Sequence, residues 1–163
     1  MIAGQGTTAL EIAEQMPVAP DFLITPVGGG GLLAGCAVAS RALLPNAQVI
    51  GAEPAGADDA LRSLKTGIRQ PQNAPNTVAD GLRTGLGEMN FSLIVDHVAD
   101  ILTSEDSTIL RAMRIIWTRM KLIVEPSAAV GLAVILDNPQ RFAGKRVAVV
   151  LTGGNVDIDK LPW

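Results

Sequence analysis

Residues 23–35 read LITPVGGGGLLAG: an apolar run, four consecutive glycines, then a second apolar run. A strand that ends in a glycine-rich turn and opens into a helix builds an anion site. Without Cβ atoms the backbone can adopt positive φ, approach a ligand closely and aim several N–H donors at one phosphate. A turn that served packing alone needs fewer glycines, so Gly28, Gly29, Gly30 and Gly31 point to a bound phosphate. The dinucleotide fingerprint requires glycines at its first, third and sixth positions. Counted from Gly28 the sixth position is Leu33, and counted from Gly29 it is Ala34, so the strict pattern fails. Glu53 nevertheless ends the next apolar run, where a ribose-reading acid belongs. A nicotinamide-binding domain therefore stays open as an alternative.

Working outward, four apolar runs have strand length: 22–27, 48–53, 98–103 and 146–152. Segments with helical spacing lie near 5–16, 32–44, 59–66, 88–97, 104–121 and 127–137. The strand runs are continuous rather than alternating, as expected when helices cover both faces of a sheet. This order predicts an α/β fold of three layers, a mainly parallel sheet flanked by helices, with residues 1–163 as a single domain. The segment 103–121 (TSEDSTILRAMRIIWTRMK) is the clearest helix. Thr103 and Asp106 have capping-box spacing, and Ile109, Met113, Ile116, Trp117 and Met120 repeat at three and four residues as a buried face. Residues 67–88 are rich in Pro, Asn and Gly, and their length predicts an ordered functional loop.

Composition narrows the function. The chain has 163 residues, is 48% hydrophobic and 18% charged, and carries a net charge of −3. Its pI is near 5.1. With no Lys/Arg run, nucleic acid is not an expected partner. The most apolar region, 22–44, is interrupted by Pro26 and the glycines, so a membrane span is not expected either. One cysteine, Cys36, rules out an internal disulfide and suits a cytoplasmic setting. Cys36 reads as core, and His97, the one histidine, reads as a surface or helix-end residue.

A second glycine turn, Thr152-Gly153-Gly154-Asn155, follows the last apolar run. In an open parallel sheet, ligands sit beyond the carboxyl ends of strands, so both turns should face one crevice. Six segments now stand in one order: GQGT (4–7), VGGGGLLAG (27–35), AEPAGADD (52–59), ADGL (79–82), VEPSAAVG (124–131) and LTGGNVD (151–157). Together they resemble the C-terminal half of a serine/threonine dehydratase or serine racemase, a pyridoxal-phosphate enzyme of the tryptophan-synthase-β-like fold. The resemblance runs almost end to end and implies a partial large domain of that fold.

The resemblance implies that Gly28, Gly29, Gly30 and Gly31, with the Leu32 amide, wrap the cofactor phosphate. It places Thr152 at the pyridine nitrogen and Glu125 near the ring edge. A neutral hydroxyl does not hold that nitrogen protonated as a carboxylate does, which makes the ring a milder electron sink. That suits loss of a β-hydroxyl from a small β-hydroxy amino acid, giving a 2-oxo acid and ammonia. Glu53, Asp59 and the Ala57 carbonyl resemble a divalent-cation site, and these hard oxygen ligands suit Mg2+ or Ca2+. The plainer reading makes Glu53 a strand-end acid and Asp59 a helix N-cap. Lys121 and Asn155 match positions associated with nucleotides in animal racemases.

Such enzymes hold their cofactor on a lysine in a motif resembling S-x-K-x-R-G-A. Lys65, Lys121, Lys145 and Lys160 all lack that context. The small domain and the lysine segment are therefore expected to lie outside these residues, and no catalytic residue is assigned among them. The chain alone is expected neither to deaminate nor to racemise. Exposed sheet edges are expected to favour self-association, as a homo-oligomer. A non-catalytic phosphate- or cofactor-binding or interaction module is the remaining alternative.

Overall fold

The computed structural model describes residues 1–161. Four strands, β1 (Phe22–Pro26), β2 (Gln48–Pro54), β3 (Asp100–Ser104) and β4 (Val147–Val149), form one sheet in the order β3-β2-β1-β4. Every pairing is parallel: Ile24 lies opposite Ile50 and Val149, and Gly51 lies opposite Ile101. The helices are α1 (Ile2–Gln15), α2 (Gly31–Leu43), α3 (Asp59–Thr66), α4 (Glu88–His97), α5 (Asp106–Ile115), α6 (Pro126–Asp137) and α7 (Pro139–Phe142). Among the described residues, no helix is long and apolar enough to cross a membrane.

Successive side chains of a strand point to opposite faces, and the core divides accordingly. Leu23, Val49 and Ile101 meet Leu33 and Ala37 of α2 and Ile94 of α4 on one face. Ile24, Ile50 and Ala52 meet Ile109 and Met113 of α5 and Ala129, Val130 and Val134 of α6 on the other. The three layers expected from the sequence are therefore present. The central strands β1 and β2 are buried almost throughout, whereas β4 at the edge is half-buried.

Two local expectations need correction. Thr103 does not cap α5, because it is the fourth residue of β3 and Glu105 occupies the N-cap with no side-chain bond. The Asp106 carboxylate is taken instead by the loop, accepting from Thr77 Oγ1 at 2.5 Å and the Val78 amide at 2.9 Å. The helix expected to run through Lys121 ends at Ile115. It widens into a π turn over Ile116–Met120, closed by Lys121 at φ 59°. Trp117 leaves the helical pattern to donate its indole N–H to the Val124 carbonyl at 2.8 Å.

Helices α1 and α2 cross so closely at Gly35 that this point of contact admits no side chain. A Cβ on Gly35 would lie 2.5 Å from the Ile2 carbonyl oxygen and 2.7 Å from the Gly6 nitrogen. We expect Gly35→Ala to destabilise the fold by about 1–3 kcal/mol through overpacking. Gly4→Ala, on the same helix pair but with nothing within 4 Å of the new Cβ, should instead gain about 0.5–1 kcal/mol from helix propensity. Urea unfolding of the two variants distinguishes these outcomes.

Candidate functional site

Strand β1 delivers the chain into Gly28–Gly31, and α2 begins at Gly31. Gly30 is the N-cap, at φ 83° and ψ −1°, a left-handed conformation that favours glycine. Leu86 also closes over it: a Cβ there would lie 2.6 Å from Leu86 Cδ1. Among the described residues, no protein acceptor takes the N–H of Gly28, Gly29 or Gly30. The first amides of α2 are free by helix geometry. The result is a run of unsatisfied donors at the positive end of a helix dipole, the arrangement that binds a phosphate.

This turn borders a cavity of about 590 Å3 lined by Gly29, Gly31, Leu32, Asn90, Thr152 and residues of α1 including Gln5 and Thr8. Two of the sequence-predicted elements, the tetraglycine and Thr152, thus meet across one space although more than half the chain separates them. The volume suits a small-molecule cofactor. Free amides of the glycine turn and a hydroxyl, with Val150 and Leu151, in one lining are donors and apolar surface of the kind a phosphorylated aromatic ring requires. All four lysines are exposed, and none lines this cavity.

Glu125 does not line the cavity. It occupies the N-cap of α6 and clamps the second glycine turn: its amide donates to the Gly153 carbonyl at 3.0 Å, and its Oε2 accepts from the Asn155 amide at 2.9 Å. Its structural effect is to fix the turn that carries Thr152. Lys121 borders a separate small cleft with Trp117, Leu122 and Ile123, and Asn155 is not part of its lining. Cys36 is buried in α2, and burial pushes its thiol up to about 11. His97 is the last residue of α4.

The acidic pair lies beneath the loop. Glu53, at the end of β2, accepts from the Ala60 amide at 3.2 Å and the Leu61 amide at 2.9 Å, so it caps α3 from a neighbouring strand. Asp58, not Asp59, stands at the N-cap, and it makes no capping bond. Asp59 turns the other way, accepting from Gln72 Nε2 and the Leu86 amide, both at 2.8 Å. Glu53 and Asp59 are each 1% exposed. Among the described residues, no three His, Cys, Asp or Glu side chains converge as a metal centre. Glu53 is committed to α3 and is not among the residues lining the glycine cavity, so the ribose-reading role that kept the nicotinamide alternative open has no structural basis.

Burial raises the Glu53 carboxyl from 4.5 to about 8, with the Leu61 amide opposing and the Asp59 charge adding to the rise. Asp59 is also raised, by burial first, against the Leu86 hydrogen bond. An acid raised in the folded state binds its proton more tightly there than in the unfolded chain. Its contribution is complete at low pH and declines as pH rises from 4.5 toward 8. In chelator-treated buffer we expect the folding equilibrium to weaken across that window, by at most roughly tenfold per pH unit from this group. Glu53→Gln should flatten the profile; equal pH dependence in both proteins would contradict the assignment.

Comparison with known proteins bears on the site as a whole. A family model described as pyridoxal-phosphate dependent enzyme matches residues 1–153. The beta-hydroxyaspartate dehydratase of Paracoccus denitrificans is 49% identical over 163 residues, covering 100% of this chain and 51% of that protein. The serine racemase of Bos taurus is 44% identical over 167 residues, covering 100% of this chain and 50% of the racemase. The crystal structure of a T.th. threonine deaminase superposes with a TM-score of 0.91 at 46% identity, over 96% of this chain and 59% of that one. The chain thus spans about half the length of the curated relatives it matches. The family model covers nearly the whole chain, and the chain belongs to the family of pyridoxal-phosphate dependent enzymes.

Proposed function

We propose that this chain is the cofactor-phosphate-binding part of a pyridoxal-phosphate enzyme that acts on a small β-hydroxy amino acid, as an ammonia-lyase or a racemase. The observation that carries the reading is that Gly29, Gly31 and Leu32 of the glycine turn and Thr152 line one cavity. The amides of Gly28, Gly29, Gly30, Gly31 and Leu32 hold the phosphate, and the Thr152 hydroxyl meets the pyridine nitrogen. Glu125 holds the turn that presents Thr152, which is its route to the ring edge. When bound, the cofactor supplies an electron sink for charge developing at the substrate α-carbon. The chain's own residues bind and orient that group and leave its nitrogen unprotonated. Relatives that act on hydroxyaspartate, serine and threonine support the substrate class.

Residues 1–163 read as one unit, part of a large domain. The half-buried edge strand β4, with exposed Met120, Leu122 and Ile123 in and just after the π turn, suits pairing with the rest of the enzyme or with a second copy. The unpaired, buried Cys36 suits a cytoplasmic setting. A second reading, a phosphate-binding module without catalysis, is favoured for the 163-residue polypeptide on its own by the absence of any lysine at the cavity.

Glu53, Asp59 and the Ala57 carbonyl form the proposed Mg2+ or Ca2+ site. Burial raises the proton affinity of both carboxyls, and the Asp59 charge adds to the rise at Glu53; a divalent cation would offset that cost, with waters completing its shell. We expect millimolar Mg2+ or Ca2+ to raise Tm, and Glu53→Ala/Asp59→Ala to abolish the increment. An unchanged Tm in the parent protein removes the cation from the account.

The cofactor reading is checked by titrating pyridoxal phosphate against pyridoxal. Phosphate-dependent binding at least about tenfold tighter is expected, because most of the free donors face the phosphate. Thr152→Val should perturb the absorbance of the bound ring while leaving inorganic phosphate binding unchanged. The polypeptide alone should release no 2-oxo acid from serine, threonine or 3-hydroxyaspartate. Equal affinity for the two ligands overturns the phosphate assignment, and turnover overturns the dependence on a lysine from elsewhere.

A further inference from the structure

We propose that Asn90 is a positioning residue of the phosphate-binding turn, holding the Gly29–Gly30 peptide in the orientation that keeps a carbonyl away from the anion. The inference rests on the phosphate reading above. Two donors converge on the Gly29 carbonyl: Asn90 Nδ2 at 2.5 Å and the Gly87 amide at 3.1 Å. The peptide bonds of the described chain are all trans. In a trans peptide the C=O and the following N–H point in opposite directions, so fixing the Gly29 oxygen also fixes the Gly30 N–H.

Four glycines in a row need such a device. Each intervening peptide plane can rotate with little steric penalty, and a flip at 29–30 exchanges a donor for an acceptor in the cup. An acceptor facing a phosphate repels it. Asn90 is well placed to prevent the flip because its own position is fixed from both sides. It lies in the first turn of α4, one turn before the fully buried Ile94, which packs with Leu33. The segment before it is tied down where the Leu86 amide donates to Asp59 Oδ2. Asn90 also lines the cavity beside Gly29 and Gly31. Nothing in its sequence neighbourhood, GLGEMNFS, signals this role.

The test compares the parent protein with N90A and N90D, using inorganic phosphate, pyridoxal phosphate and pyridoxal as probes and Tm as the check on folding. N90A should weaken both phosphate-bearing probes by roughly fivefold to thirtyfold, as expected for loss of one such hydrogen bond, and leave pyridoxal unchanged. N90D places an acceptor against the Gly29 carbonyl at neutral pH and regains a donor once its carboxyl is protonated. Its deficit relative to the parent, measured at the same pH, should therefore shrink at pH 5 compared with pH 8. A role confined to packing would weaken all three probes together and give N90D no such recovery. If the parent binds phosphate and N90A or N90D binds it equally well, the role of Asn90 is refuted. If N90A does not fold, the pH-dependent ratio of N90D alone decides, a constant ratio being the refuting result. If the parent itself binds neither phosphate-bearing probe, the phosphate reading fails, and the positioning role falls with it.

Discussion

The structure depends on one constraint: β1 is hydrogen-bonded on both edges by parallel neighbours and buried on both faces. A strand so held cannot slide or twist freely, and its carboxyl end arrives at a fixed point above the sheet. From there the chain must reverse into α2, which covers the same sheet. Gly30 makes that reversal at φ 83° under Leu86, where any other residue would be strained and crowded. The amides left free by the turn are a consequence of this geometry. Parallel sheet, left-handed turn and helix dipole together gather free donors at the carboxyl end of β1, the geometry on which the proposed phosphate site rests.

A second tier of contacts holds that turn from behind. Asp59 binds the Leu86 amide, Leu86 packs over Gly30, and the Gly87 amide and Asn90 bind the Gly29 carbonyl. The irregular segment between α3 and α4 is therefore the support of the glycine turn, and its lack of regular structure does not make it a passive connection. The acidic pair lies under the same segment. Glu53 caps α3, and Asp59 anchors the loop through the Leu86 amide.

Much of this was legible in the sequence, for identifiable reasons. Continuous apolar runs marked the four strands because both faces of a parallel sheet are covered, and the glycine run marked the left-handed turn that opens α2. Thr152 was singled out through resemblance alone, since a threonine at a strand end carries no signal of its own, and the structure puts it in the lining of the same cavity as the glycine turn. Other features were hidden. The spacing of Thr103 and Asp106 imitated a capping box, but β3 extends through Ser104 and the loop claims the Asp106 carboxylate. Glu53 as a cap for α3, Glu125 as a clamp on Gly153–Asn155, and Asn90 at Gly29 all act between separate elements. Such contacts are set by how elements pack, which no local pattern records.

The central claim is that the amides of residues 28–32 form the phosphate cup. Amide 1H–15N spectra of the protein, recorded while pyridoxal phosphate is added, test this most directly, with pyridoxal and inorganic phosphate as controls. The account predicts that the resonances of Gly28, Gly29, Gly30, Gly31 and Leu32 move with both phosphate-bearing ligands and stay in place with pyridoxal. Shifts confined to other residues, or the same shifts with pyridoxal, would contradict it.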